Sequence, residues 1–176
     1  KLMGGNKAFV KKLQKVFDEG LYDPANEPDI AYPYLFSYFK GEEWRTQKTV
    51  SQLLDKYYTT RPDGIPGNDD TGTMSAWAVF SMMGFYPDCP GDPSYTLTAP
   101  RFDRVEITLD PKYCGGRDCL VITKDRTAPE GGWLKVTGVT LGGKKVSGSR
   151  ISHKALTGGG RLAFRCSPAT SQNVKP

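Results

Sequence analysis

Two short stretches carry residue types that can do chemistry. Asn26-Glu27-Pro28-Asp29 and Pro66-Gly67-Asn68-Asp69-Asp70 each crowd carboxylates and amides among turn formers, just ahead of apolar sequence. Pro28 confines Glu27 to extended backbone, which restricts where its carboxylate points. Pro66 and Gly67 impose a tight turn on the second stretch. Asp70 falls just before a helix start, where the helix dipole and free N–H groups favour the ionised carboxylate. An ionised carboxylate in a pocket is what a general base requires. Asn26, Glu27 and Asp29 are hard oxygen donors of the kind calcium takes. The same residue types are the ordinary N-caps of helices, so capping is the alternative at both places.

The elements that would position these residues follow from hydrophobic spacing. Phe9, Val10, Leu13, Val16 and Phe17 form a helical stripe that Gly20 ends. After a loop from Leu21 to Asp29, a second helix would hold Tyr34, Leu35, Tyr38 and Phe39 and close at Gly41. A third runs from about Trp44 to Tyr58, with Val50, Leu53, Leu54 and Tyr57 inward. The loop from Thr59 to Gly72 is rich in Pro, Gly, Asn and Asp and leads to a fourth helix. That helix carries Met74, Trp77, Ala78, Phe80, Ser81 and Met82, stops at Gly84, and is apolar enough all round to predict burial. Four helices with alternating short and long connections resemble part of a helical barrel, whose helix-entry loops gather at one end. Both acidic stretches would then face one pocket.

Near residue 90 the pattern changes from helical spacing to alternation. Candidate strands are Tyr95–Ala99, Val105–Leu109, Leu120–Lys124, Trp133–Leu141, Ile151–His153 and Leu162–Cys166, with turns at Gly142-Gly143 and Gly158-Gly159-Gly160. The expected fold class is α+β. Helical hairpins fill residues 1–90, an antiparallel sheet or sandwich fills 91–168, and a tail of 169–176 follows, with disorder expected from about Ser167.

Composition narrows the function classes. The net charge is +5, but Lys and Arg are scattered and the polar loops are acidic, which argues against a nucleic-acid partner. No apolar run is long enough for a membrane helix. The basic stretch Lys1 to Lys12 has no apolar core and does not read as a signal peptide. It also starts mid-pattern without a cap, as a chain cut from something larger would. None of the four cysteines sits in a C-x-x-C pair and the only histidine is His153, so a zinc site is poorly supported. Cys114 and Cys119 flank Gly115-Gly116-Arg117-Asp118 as a hairpin that a disulfide could close, and Cys89 with Cys166 could form a second bridge. An even count in loop-rich sequence points to an oxidising, secreted setting, with free buried thiols as the alternative.

The run from Gly64 through Pro66-Gly67-Asn68-Asp69-Asp70-Thr71-Gly72-Thr73-Met74-Ser75-Ala76-Trp77, continuing with Gly84-Phe85-Tyr86-Pro87, resembles a signature of glycoside hydrolase family 92. So does Asn26-Glu27-Pro28-Asp29-Ile30 followed by Tyr34-Leu35-Phe36 and Trp44-Arg45-Thr46-Gln47, in the same order and separation. The resemblance is close over about residues 9–103 and looser beyond. It implies the C-terminal portion of a secreted, calcium-dependent, inverting exo-α-mannosidase, in which a β-sandwich precedes an (α/α)6 barrel of six helical hairpins. The substrate class implied is α-linked mannose at the ends of N-glycan or mannan-type oligosaccharides. By position, Asp70 matches the family's general base. Asn68 stands where many members have a second acid that supports the base, and Asp69 lies between the two. Asn26 and Glu27 match a pocket motif, assigned to sugar or calcium contact, and Trp44 could wall the sugar site. The family's general acid is a glutamate upstream of the region matched here. Activity would then require the remaining N-terminal portion of the enzyme as partner. The alternative is a carbohydrate-binding or interaction module that kept the fold without the chemistry.

Overall fold

The computed structural model describes residues 2–115 and 118–170 and divides the chain into two compact units, one ending at Ala78 and the other starting at Val79. The division falls inside a helix. Packing therefore parts earlier in the chain than composition changes.

In the first unit α1 spans Asn6–Asp18 and buries Val10 and Leu13. These pack with Phe36, flanked by the part-buried rings of Phe9, Phe17 and Phe39. Gly20 takes a φ of 66°, which turns the chain out of α1. The second helix departs from expectation. It is a 3-10 helix over Glu27–Tyr38, and it begins inside the stretch read as loop. Pro33 lies inside the segment and lacks an N–H, so the α-helical ladder cannot run through it, whereas Pro28 stands in the first turn, where no N–H is needed. The tighter winding stacks Ile30, Pro33, Tyr34 and Phe36 inward. Helix α2 spans Glu43–Tyr57 and buries Val50, Leu53 and Leu54, together with Thr46, Gln47 and Thr49.

Helix α3 spans Thr73–Met83 and carries the chain across the division between units. Its burial is one-sided. Met74, Trp77, Ala78 and Ser81 are buried, whereas Val79 is 54% exposed. Gly84, at φ 94°, stops the helix, and any Cβ there would come within 2.8 Å of Pro100.

The second unit holds the strands. β1 (Phe85–Tyr86), β2 (Ser94–Leu97) and β7 (Arg150–Ser152) form a three-stranded antiparallel sheet. β3 (Arg104–Thr108), β4 (Cys119–Lys124), β8 (Gly160–Ala169), β5 (Trp133–Leu141) and β6 (Lys144–Lys145) form a five-stranded sheet in that spatial order. The expectation of antiparallel strands fails at one place: β4 and β8 run parallel, with Ile122 opposite Leu162. His153 opens the short helix α4 (His153–Thr157) instead of ending a strand, because Ser152 caps it by accepting from Ala155 N–H. Ser167–Ala169 belong to β8 and not to a disordered tail. The rest of the expected tail, 171–176, and Gly116-Arg117 of the expected hairpin lie outside the described residues.

All four cysteines are free, so the expected bridges do not form. Cys166 is buried in the cluster of Leu120, Ile122, Leu162 and Phe164. Burial, then the Asp125 carboxylate, pushes its thiol up to about 11. It behaves as a small core residue. The case for an oxidising compartment rested on those bridges and loses that support.

The three-stranded sheet is clamped by charge. The Asp88 side chain is fully buried and faces Arg150, whose Nη1 lies 3.3 Å from Oδ1. Thr96 Oγ1 donates to the same Asp88 oxygen at 2.7 Å, and the Arg150 guanidinium also reaches Asp92 and Ser94. Removing one partner strands the other. Asp88→Ala is expected to cost about 3 kcal/mol. Urea unfolding followed by circular dichroism checks this, and Asp88→Asn should cost less because the Thr96 bond survives.

Candidate active site

Both acidic stretches lie in the first unit, and the backbone brings them into contact. Gly67 has a φ of 65°, and a Cβ at that position would sit 2.6 Å from the Ala25 Cβ and 3.0 Å from the Ala25 carbonyl oxygen. Only glycine permits this approach of the turn to the loop before the 3-10 helix. A second tie runs beneath it. The Trp77 indole Nε1 donates to the Ile30 carbonyl at 3.0 Å. Its ring stacks on Tyr58 at 5.3 Å and meets the edge of Tyr34 at 6.3 Å.

The two aspartates of the turn have separate tasks. Asp69 Oδ1 accepts from the Ser75 backbone N–H at 2.9 Å and from its hydroxyl at 2.8 Å. It therefore satisfies a free N–H in the first turn of α3, the task the sequence pattern had pointed to for Asp70. Asp70 turns away in left-handed backbone, at φ 49°, followed by Thr71 at φ 60° and Gly72 at φ 91°. Its carbonyl accepts the Thr73 hydroxyl at 2.7 Å. Its carboxylate Oδ1 accepts from Asn68 Nδ2 at 3.0 Å. Asn68 is exposed, while Asp69 and Asp70 are half-buried. An aspartate tolerates left-handed backbone, but a β-branched threonine there is strained.

The other stretch is organised by a residue that sequence reasoning treated only as one more oxygen donor. Asp29 is buried. Its Oδ1 accepts from Asn26 Nδ2 and its Oδ2 from the Asp23 N–H, both at 3.1 Å. Asn26 stands at the start of the 3-10 helix but makes no side-chain cap bond, so its amide serves the loop instead. Asn26 and Glu27 are exposed, and Glu27 sits in the first turn beside Pro28. Burial, then Tyr58 and Asp29, pushes the Tyr22 phenol well above the usual tyrosine range. Tyr22 thus stays protonated beside the Asp29 carboxylate. No spacing signal in the sequence marks Tyr22 or Ser75 as parts of this arrangement.

Trp44 stands on a different helix from either acidic stretch. It lies in the first turn of α2 with the Arg45 guanidinium 4.5 Å from its ring centroid. It lines a cavity of about 410 Å³ with Gln14, Tyr22, Lys48, Gln52 and Tyr57 among others. Among the described residues no group of three or more His, Cys, Asp or Glu is placed to hold a metal ion. Calcium takes about six to eight oxygens. Asn26 and Glu27 are the right type of donor, but as a pair they make only part of such a shell.

Comparison with known proteins places the chain in a family. The model of the glycosyl hydrolase family 92 catalytic domain matches residues 1–168. The chain belongs to glycoside hydrolase family 92. An "uncharacterized secreted glycosidase" of Arthroderma benhamiae is 29% identical over 99% of this chain and 23% of its own length. A family 92 α-mannosidase of Bacteroides thetaiotaomicron superposes with a TM-score of 0.83 at 29% identity, over 96% of this chain and 22% of its own. Its complex with mannoimidazole gives the same TM-score of 0.83 at 27% identity, over 98% of this chain and 25% of that one. A family 92 inverting mannosidase of the same organism gives a TM-score of 0.69 at 29% identity, over 96% of this chain and 22% of its own. The chain thus spans about a quarter or less of these relatives. Among the described residues no helix is long and apolar enough to cross a membrane.

The strain at Thr71 makes a test. Thr71→Gly is expected to leave stability unchanged or to raise it by up to about 1 kcal/mol, because relief of left-handed strain offsets glycine's entropy. A glycine replacing a threonine in ordinary backbone lowers stability instead, so a drop of about 1 kcal/mol in a denaturant melt would contradict the assignment.

Proposed function

We propose that this chain supplies the general base and part of the sugar-binding site of an inverting, calcium-dependent exo-α-mannosidase. Its substrates would be terminal α-linked mannose residues of N-glycan or mannan-type oligosaccharides. The observation that carries the reading is the division of labour in the acidic turn. Asp69 is spent on the helix end, and Asp70 is held in left-handed backbone with Asn68 on one carboxylate oxygen. The second Asp70 oxygen is thereby left for a water.

In the proposed reaction, Asp70 takes a proton from a water as that water attacks the anomeric carbon. A carboxylic acid on the opposite side protonates the leaving glycosidic oxygen. The family resemblance puts that acid upstream of the residues matched here, so the activity is one of the full-length protein. Asn68 orients Asp70 through its amide donor, where a second acid in other members would share a proton. Asp69 holds the first turn of α3 and through it the backbone of Asp70. Asn26 and Glu27 would contribute oxygens to mannose hydroxyls or to calcium. When bound, calcium would supply positive charge next to the sugar hydroxyls and favour distortion of the ring, and the rest of its shell would come from beyond these two residues. Trp44 shares its cavity with Tyr22, the neighbour of Asp29, and would wall the sugar site from there. Secretion is proposed on the family resemblance and on the Arthroderma relative, a secreted glycosidase by name.

Asp70→Asn in the full-length protein is expected to lower turnover of an aryl α-mannoside about 10²–10⁴-fold, with a much smaller change in KM. Ser75→Ala, which loosens only Asp69, should cost far less. Full turnover by Asp70→Asn would reject the base assignment. Chelation should abolish activity and added calcium restore it. Specific mannose binding that persists with no hydrolysis by the full-length protein would favour a binding module instead.

A further inference from the structure

Asp29 and the Gly67–Ala25 contact are left over by the proposed chemistry, yet they sit between its two halves. Asp29 is buried and makes no ion pair among the described contacts. Its two oxygens draw Asn26 and Asp23 onto one carboxylate. Asp23 in turn accepts from the Ala25 N–H at 2.9 Å, and the Asp29 N–H closes the turn on the Asn26 carbonyl at 2.9 Å. The loop is thus wound round Asp29, with Ala25 at its outer bend. At that bend Gly67 approaches so closely that its missing side chain would fall 2.6 Å from the Ala25 Cβ. Gly67 stands directly before Asn68, the residue that holds the Asp70 carboxylate.

We infer that Asp29, Ala25 and Gly67 are positioning residues that fix the spacing between the base turn and the Asn26-Glu27 loop. The inference rests on the reading of Asp70 as general base. Asp29 sets the shape of the loop and points its buried carboxylate inward, which leaves Glu27 outside. The loop bend at Ala25 then acts as a stop for Gly67, and the turn seats against it. Water attack depends on where Asp70 lies relative to a sugar held by the other loop. A shift of about 1 Å at such a distance can cost on the order of 10²-fold in rate.

A rescue experiment in the full-length protein separates this coupling from simple damage. Gly67→Ala should lower kcat/KM of an aryl α-mannoside by about 10–100-fold. Ala25→Gly alone should lower kcat/KM by less than Gly67→Ala, because the Ala25 backbone that meets Gly67 stays in place. The double variant Gly67→Ala with Ala25→Gly should recover only part of the loss, because the Ala25 Cβ is gone while its Cα and carbonyl oxygen still lie 3.0 Å from the new Cβ and residue 67 keeps its left-handed φ of 65°. If Gly67→Ala fails to fold, Ala25→Val crowds the same contact from the side with no left-handed strain and should show the same loss. Asp29→Ala should raise KM and the calcium concentration for half activity more than it lowers kcat, and Asp29→Asn, which keeps one acceptor, should fall between. Parent-like kcat/KM in Gly67→Ala or Ala25→Val overturns the coupling. Asp70→Asn measured alongside tells the two ideas apart. An inactive Asp70→Asn with an unaffected contact variant rejects the coupling alone, whereas an active Asp70→Asn rejects the base reading and this inference with it.

Discussion

The bond from the Trp77 indole to the Ile30 carbonyl is the constraint on which the first unit depends. It joins the helix that follows the acidic turn to the helix that follows the Asn26-Glu27 loop, in the interior, where an unpaired N–H would cost about 1–3 kcal/mol. Trp77 is 1% exposed and spends its faces and edges on Tyr58 and Tyr34. The indole cannot rotate without losing both ring contacts and the bond. The spacing of the two helix starts is therefore set by a rigid ring, and the two acidic loops inherit it.

The acidic turn shows how such a frame is converted into a chemical group. Two adjacent aspartates would ordinarily compete for the same helix end. Here the backbone turns left-handed at Asp70 and Thr71, and the two carboxylates take different partners. Asp69 then closes the helix through Ser75, and Asp70 is held away from it. The strain is localised at Thr71, the β-branched residue of the pair. Non-glycine residues in this region cost on the order of 1–3 kcal/mol each, and such a cost persists only where surrounding structure enforces it. Trp77, Ser75 and the Gly67 contact supply that enforcement.

Much of the fold was legible from residue spacing. Trp133–Leu141 forms a strand over the whole predicted range because its β-branched run and the Gly142-Gly143 turn leave little choice. Helices α1 and α2 start and stop within a few residues of expectation for the same kind of reason. The 3-10 helix was missed because aromatic spacing suggests an ordinary helix, while Pro33 removes an N–H that its interior would need. The parallel β4–β8 pair was invisible since alternation carries no direction. At the candidate site the acidic residues were legible as types, and a long run of matching residues identified the family. Which aspartate caps the helix could not be read, since that depends on backbone φ at Asp70 and Thr71. The work of Asp29 could not be read either, because its partners Asp23 and Asn26 are selected by the fold of the loop. The predicted disulfides failed because even cysteine numbers fit buried thiols equally well.

The central claim is that the Asp70 turn and the Asn26-Glu27 loop are two sides of one mannose site. A crystal structure of the full-length protein with calcium and a mannose-configured inhibitor tests it most directly. The account predicts the inhibitor between the two loops, with an Asp70 oxygen within hydrogen-bond reach of a water facing the anomeric carbon, and Asn26 or Glu27 on the sugar or the calcium. An inhibitor bound elsewhere, with Asp70 contacting only Asn68 and its own helix, would contradict it.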